Sequence, residues 1–541
     1  MGRLSCGMRM GLGAATIVST ISAAIPEVVL AQCDEPVQTH HVYAPDGGSI
    51  DQFGVRAVRF GDWAVIGAPR HNANQGAAYV FRNNSGVWQC FQKFTPTVSA
   101  GPPQLGWGLA YSNSRIAVGA YAETVSGTNL AGAVYTYAFD GAMWVSAGKI
   151  ANPSPGSNEF GISLAMFGDR LAIGAEGRTI AGSVRAGSVY IYEWNGAAWQ
   201  QQQVIDNPLP AQEDLFGSWV AMNDLWLAVG SDGDDTYASN SGTVYMYERV
   251  GALWTYRGAL PRAGAGSGDF FGQTLALHEN TLIVGAPFHD VAGTDAGSAY
   301  VYTYDGIGWT EAQRLNAAPA SVSDAFGVGV AFDGTNLIVG AIAGPGQSAD
   351  SGNAYVFRKV SGMWTQQYVL QADDGLNGDA FGGGRRAIGL ENGRVLVGSP
   401  RDDYNGHTDA GSAYFFDLDP VGLTIDDQPD NVTAGPGQTA MFSVAVSGTA
   451  PILHQWRRHG VDLADNYPFS GATTPTLTIS PTFIDFGGTY DCVISNVCGS
   501  MVTTDPATLA VPYCTGDGNA SRTVTFDDIL AALANFGAVC P

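Results

Sequence analysis

Six oxygen-bearing residues near the C-terminus have a spacing that could hold a cation: Asp517, Asn519, Ser521, Thr523, Thr525 and Asp528. Counted from Asp517 they fall on the first, third, fifth, seventh, ninth and twelfth places of a loop, the seventh offering its carbonyl. That is the ligand order of a twelve-residue Ca²⁺ loop. Two residues depart from it. Arg522 stands where such loops place glycine for a sharp turn, and the last ligand is Asp rather than a bidentate Glu. A Ca²⁺ site and a plain turn framed by Cys514 and Cys540 are both open readings.

A second set of carboxylates, Asp232, Asp234, Asp235, Asp290, Asp295, Asp402, Asp403 and Asp409, crowds three glycine-bounded stretches. Asp51, Asp214, Asp269, Asp324 and Asp379 recur two places before a Phe, with Glu159 one place nearer its own. Such residues could line a surface for Ca²⁺ or a cationic partner. They could equally hold turns by accepting backbone N–H bonds, and recurrence at one position favours that reading. Catalytic patterns are missing: there is no Gly-x-Ser-x-Gly, His-Glu-x-x-His or phosphate loop. His40 and His41 are adjacent on an expected strand, so they point to opposite faces, while His71, His289 and His407 sit singly in loops.

What must position these residues is a repeat, clearest in Asp269-Phe270-Phe271-Gly272, Leu282–Pro287 and Gly297–Tyr302, closed by Gly308-Trp309. The same order returns at a period of about 55 residues. The Phe-Gly step is at Phe53, Phe160, Phe216, Phe271, Phe326 and Phe381, with Trp107-Gly108 expected in the second place. A Gly-Ala or Gly-Ser step follows at Gly67, Gly119, Gly174, Gly230, Gly285, Gly340 and Gly398, and then Tyr at 79, 135, 190, 245, 300, 355 and 414. Alternation such as Ala299-Tyr300-Val301-Tyr302 reads as strand, and each copy holds four such runs. A single four-stranded sheet cannot bury both faces, so seven copies must pack around an axis as a β-propeller. Val37–Pro45 resembles the outer strand of a blade, and the seventh copy lacks one, so the N-terminal run is expected to complete it. Strand direction then gathers the long loops Pro69–Gly76, Ser231–Gly242, Pro287–Gly297 and Pro400–Gly411 on one face, the expected binding face.

The Phe-Gly…Val-Gly-Ala-Pro order resembles the FG-GAP repeat of integrin α-like propellers and of bacterial secreted proteins, over residues 33–420. Integrin-type repeats carry Asp-rich calcium loops between strands one and two. Here those turns, Gly61-Asp62 and Glu391-Asn392-Gly393 among them, are too short, so Ca²⁺ does not carry over to them. Residues 421–512 change character. Trp456 and Asp485-x-Gly487-x-x-Tyr490-x-Cys492 resemble an immunoglobulin-like β-sandwich in which Phe442 or Val444 replaces the first core Cys. Residues 513–541 resemble one half of a dockerin, an EF-hand-like loop running into a helix-forming segment. The fold expected is therefore all-β: a seven-bladed propeller, a sandwich, and a short disulfide-framed loop-helix tail.

Arg3 and Arg9, the apolar run Gly11–Ile25 and Val29-Leu30-Ala31 read as a secretory signal cleaved after Ala31, leaving residues 1–31 outside the mature chain. No later stretch is long enough to span a bilayer as a helix. Six cysteines then remain, Cys33, Cys90, Cys492, Cys498, Cys514 and Cys540, and an even count in an exported chain favours disulfides. Domain membership suggests the pairs 33–90, 492–498 and 514–540. The formal net charge of −24 argues against nucleic acid and against anionic lipid. The expectation is a secreted or cell-surface, non-enzymatic adhesion protein that binds a protein or glycan by its long-loop face. The alternatives are an extracellular polysaccharide-acting enzyme or assembly component attached through the tail, and a structural envelope component.

Overall fold

The computed structural model describes residues 35–512, apart from 97–100, 155, 291, 343–350, 385–386 and 498–499, together with residue 526. Seven antiparallel sheets of four strands follow one another along the chain, each built as an up-and-down meander. In the fifth, Thr274–His278 is innermost, then Thr281–Ala286, Ser298–Tyr304 and Trp309–Leu315 outward. The seventh blade has Ile388–Glu391, Arg394–Ser399 and Ser412–Asp417. Its outer strand is the N-terminal Val37–Val42, antiparallel to Ser412–Asp417 with Val37 opposite Asp417. The ring is thus closed by pairing the two ends of the propeller, which leaves no open sheet edge there.

The repeated residues explain how the blades pack. Each Phe is 1 % exposed or less and meets the Tyr of its own third strand edge-on, with centroids 5.2–5.5 Å apart. Burying such rings is worth about 1.5–3 kcal/mol apiece, and the edge-on geometry adds to it. The two repeated glycines meet across every seam: a Cβ on Gly285 would collide with the Gly327 carbonyl of the next blade, and one on Gly398 with Gly54 of the first. A methyl group at either position would wedge the blades apart. Backbone N–H groups sew the same seams, as Phe326 donates to Ala296 and Phe53 to Ala410.

The second blade corrects the sequence reading. Leu105-Gly106, not Trp107-Gly108, fills the Phe-Gly place: Leu105 N–H donates to Gln75 across the seam, and Leu105 is fully buried. A branched aliphatic side chain fills the slot a Phe ring fills elsewhere, so the aromatic two residues on was a misleading landmark. A second seam device was not foreseen. The Gln92, Gln203 and Gln313 side chains each make two hydrogen bonds, 2.7–3.0 Å, to the backbone of Trp144, Trp254 and Trp364 on the next blade.

Beyond the propeller, residues 424–510 form a sandwich. One sheet runs Val432–Thr433, Ala507–Ala510, Gly488–Asn496, Ile452–Arg458, Val461–Asp462, with the first pair parallel; another runs Ala440–Ser443, Thr476–Ile479, Phe469–Ser470. Trp456 and Tyr490 are fully buried, and the Tyr490 hydroxyl donates to the Phe486 carbonyl at 2.7 Å, fixing the corner into its strand. Phe442 takes the missing Cys position, stacking on Tyr490 at 4.9 Å.

Candidate functional site: the long-loop face

Antiparallel order sends the one-to-two and three-to-four turns of every blade to one face. The two-to-three loops and the blade-to-blade connections go to the other. Turns on the first face are tight. Asp305 and Asp333 each accept from the backbone N–H groups two and three residues on, at 2.7–3.0 Å. Those bonds hold the Asp305 carboxyl below its ordinary range. The sandwich sits against this face at the seam of blades one and seven, where a Cβ on Gly86 would collide with Ala450.

On the opposite face, Asp51, Asp214, Asp269, Asp324 and Asp379 are all 4 % exposed or less. Each accepts a bond of 2.5–2.7 Å from the backbone N–H three residues back, on Gly48, Ala211, Gly266, Ser321 and Leu376. The recurrent carboxylates thus hold the connection between blades. Burial raises Asp214 and Asp379, the latter to about 6 with Asp402, Asp403 and Asp374 adding repulsion.

The eight loop carboxylates divide by role. Asp232, Asp234 and Asp402 are buried, and Asp234 accepts from the Tyr245 hydroxyl at 2.6 Å. Asp235, Asp290 and Asp403 brace their loops by accepting from the backbone N–H of Asn240, Asp295 and Asp409 at 2.6–2.9 Å. Asn240, Asp295 and Asp409 have φ of 49°, 52° and 51°, the left-handed conformation that Asn and Asp tolerate best. Of the eight, Asp235, Asp290 and Asp403 are exposed, and the others are buried or half-buried. They share the face with exposed apolar side chains, Tyr237 in a long loop and Leu209, Val322 and Leu376 in the blade connections.

Three histidines are less isolated than the sequence implies. His71 Nδ1 lies 2.7 Å from Asp51, and its Nε2 lies 2.8 Å from the Lys93 ammonium. Lys93 also donates to Asp46 at 2.6 Å, and Asp46 accepts from the Tyr79 hydroxyl at 2.8 Å. His41 stacks on Tyr414 at 4.2 Å between Asp374 and Asp402, and His289 is buried 3.1 Å from the Ser298 hydroxyl. Part of the signal was in the sequence, since Asp51, Tyr79 and Tyr414 are recurrent residues, but Lys93 and Ser298 carry no such mark. The hydroxyls of Tyr79, Tyr245 and Tyr414 each donate to a carboxylate, Asp46, Asp234 and Asp374, at 2.6–2.8 Å.

All seven inner strands line an axial channel of about 240 Å³. At its long-loop end the Arg56 guanidinium lies 4.8 Å from the Trp107 ring and 5.7 Å from Trp219, and its Nε donates to the Trp107 carbonyl at 2.8 Å. Trp107, freed from the seam by Leu105, packs against Arg56 there.

Among the described residues no group of three His, Cys, Asp or Glu side chains is placed to hold a metal. The tail residues Asp517, Asn519, Ser521, Thr523, Thr525 and Asp528 lie outside the described residues, as do Cys33, Cys498, Cys514 and Cys540. Cys90 and Cys492 are free thiols among the described residues, and their expected partners Cys33 and Cys498 lie outside them. Cys90 is exposed on the outer strand of blade one. Cys492 alternates with Tyr490 and Ile494 into the sandwich core, and burial pushes its thiol up to about 11.

The sequence pattern of the FG-GAP repeat matches residues 36–81, 149–192, 199–247, 254–302, 309–357 and 364–416, more than half of the chain. The stretch passed over contains blade two, where Leu105 replaces Phe. The immunoglobulin I-set pattern matches residues 423–511. Solved structures similar to a part of the chain include titin M4, 25% identical over 17% of this chain and 95% of that one, with a TM-score of 0.15. Another is Duf (Kirre) D1, 19% identical over 17% and 100%, also at 0.15. The tandem Ig repeats of Dlar are 14% identical over 22% and 89%, at 0.16. No curated protein matches the chain.

Proposed function

The chain belongs to the FG-GAP repeat family, and on that premise we propose that it is an exported adhesion or interaction protein without catalytic activity. Its partner is a protein bearing basic and apolar groups, held on the long-loop face of the propeller. The observation that carries this reading is the division of the two faces. The sandwich occupies the short-turn face at the blade-seven seam. The long-loop face presents Asp235, Asp290 and Asp403 beside Tyr237, Leu209, Val322 and Leu376 on loops braced from within. Exposed apolar side chains interleaved with like charges on a rigid scaffold suit a partner surface of opposite charge.

Export rests on the secretory pattern of residues 1–31, which lie outside the described residues. Among the described residues no helix is long and apolar enough to cross a membrane. The test is capture of envelope proteins and of a glycan panel by the immobilised full-length chain, beside the Asp235→Asn, Asp290→Asn, Asp403→Asn triple variant. Saturable, salt-sensitive protein binding that the triple variant loses supports the assignment. Binding that the triple variant retains, or binding of neutral glycans alone, overturns it.

A further inference from the structure

The short-turn face holds a different kind of site. Where blades one and seven meet the sandwich, a cleft of about 720 Å³ opens, within the range of small-ligand pockets. Its propeller wall carries Arg59 and Arg394, with His40 and the turn residues Asn83 and Asn392, and Thr449 faces them from the sandwich.

Neither arginine forms an ion pair among the described residues, as nine others do. Arg115, Arg170, Arg178, Arg185, Arg249, Arg257, Arg262, Arg358 and Arg457 all pair with carboxylates. Arg59 instead stacks on Trp88 at 5.1 Å and on Phe415 at 5.7 Å, and its Nε is buried with no hydrogen-bond partner. Buried His40 Nδ1 also has none. Burial first, and then the neighbouring Arg394 charge, push the Arg59 guanidinium down to about 10. Two near cations and two unmet polar atoms around one cavity are costly unless an anion completes them. Glu391, Asp417 and Asp62 attract the Arg59 charge through space, but none of the described carboxylates pairs with it. Asp419 pairs with Arg358 at 2.9 Å, Asp417 accepts from the Thr449 hydroxyl and the Asp419 backbone, and Asp62 is exposed on its turn.

We propose that this interdomain cleft binds an acidic saccharide, its carboxylate held by Arg59 and Arg394 and its hydroxyls by Asn83 and Asn392. A planar guanidinium matches a carboxylate, and side-chain amides match the paired hydroxyls of a sugar ring. The Asn83 carbonyl is already used by Gly86 N–H at 2.7 Å, which leaves its amide as a donor. Amide donors on the short turns, with the one nearby indole covered by Arg59, favour a hydroxyl-rich ligand over a peptide.

The test is titration calorimetry of the full-length chain with a galacturonate tetramer, a neutral galactose tetramer and tetra-alanine. The expected result is saturable binding of the acidic tetramer alone, weakened about tenfold or more by Arg394→Gln. Arg394 is exposed, so that variant keeps the fold; unchanged melting checks this. Arg59→Lys, which keeps the charge and loses the fork, should weaken binding several-fold. The Asp235, Asp290, Asp403 triple variant should bind the tetramer as the parent does, which separates this site from the long-loop face. The proposal falls if the acidic tetramer gives no binding, if the neutral tetramer matches it, if tetra-alanine binds instead, or if Arg394→Gln changes nothing.

Discussion

Replacing Asp379 by asparagine separates what a recurrent carboxylate does for the fold from what its charge costs. The side chain is 4 % exposed and accepts the Leu376 N–H at 2.5 Å, a bond that an amide oxygen can also accept. Burial and the carboxylates of Asp402, Asp403 and Asp374 hold it at about 6 against an ordinary 3.8. The folded chain therefore keeps this proton to a higher pH than the unfolded chain does. The stability that the proton contributes is complete below the ordinary value and is lost as pH rises through about 6. At about 1.4 kcal/mol per pH unit, the ionised form costs the propeller roughly 3 kcal/mol at most above pH 7. Asp379→Asn removes that cost. Blade three supplies a precedent, since Asn158 stands at the equivalent place, two before Phe160. Urea unfolding of parent and variant at pH 4 and pH 8, followed by propeller tryptophan fluorescence, reads the difference. The variant should gain about 2–3 kcal/mol at pH 8 and little at pH 4. A gain equal at both values, or a loss at pH 8, would refute the reasoning, because neither can come from this ionisation.

Gly285→Ala should destabilise the propeller by about 3 kcal/mol or more, since the added methyl meets a backbone carbonyl that cannot rotate away; a shift in the denaturant midpoint measures it. Arg262→Met should cost about 3–5 kcal/mol by leaving the buried Asp269 carboxylate without its partner, and Asp269→Asn in the same chain should recover part of that loss. In the native protein a thiol reagent should label Cys90 readily and Cys492 only after unfolding; labelling of neither in the unreduced chain would restore the disulfides expected from sequence.

Most of the architecture was written in spacing. Glycine, Phe and Tyr recur because each seam needs a close backbone approach and each blade needs a ring against a ring, so their period announces the propeller. Leu105 escaped because the slot selects for volume and not for aromaticity, while Trp107 stood nearby as a decoy. The site was less legible. Asp235, Asp290 and Asp403 look like Asp232, Asp234 and Asp402 in sequence, and only the path of the loop decides which carboxylate turns outward. His71 looked solitary because its partners come from elsewhere in the chain, Asp51 from the connection into the blade and Lys93 from its outer strand. The 33–90 and 492–498 pairings rested on the parity of cysteines, which says nothing about which side of a strand carries them. The cleft could not be foreseen at all, since Arg59 and Thr449 meet only when the sandwich docks.

The strand that closes the ring has a mechanical consequence. Val37 lies opposite Asp417, so the chain enters the propeller and leaves it at the same point. Tension between the segment before Val37 and the sandwich after Asp417 would load that strand pair at its end. The load would part its hydrogen bonds one after another, as a zipper opens, rather than shearing them together. The other six blades would carry no load until the pair had gone. Under force this molecule should yield at a single seam, at low load, and the released edge would remain tethered beside the strand it left, ready to close again.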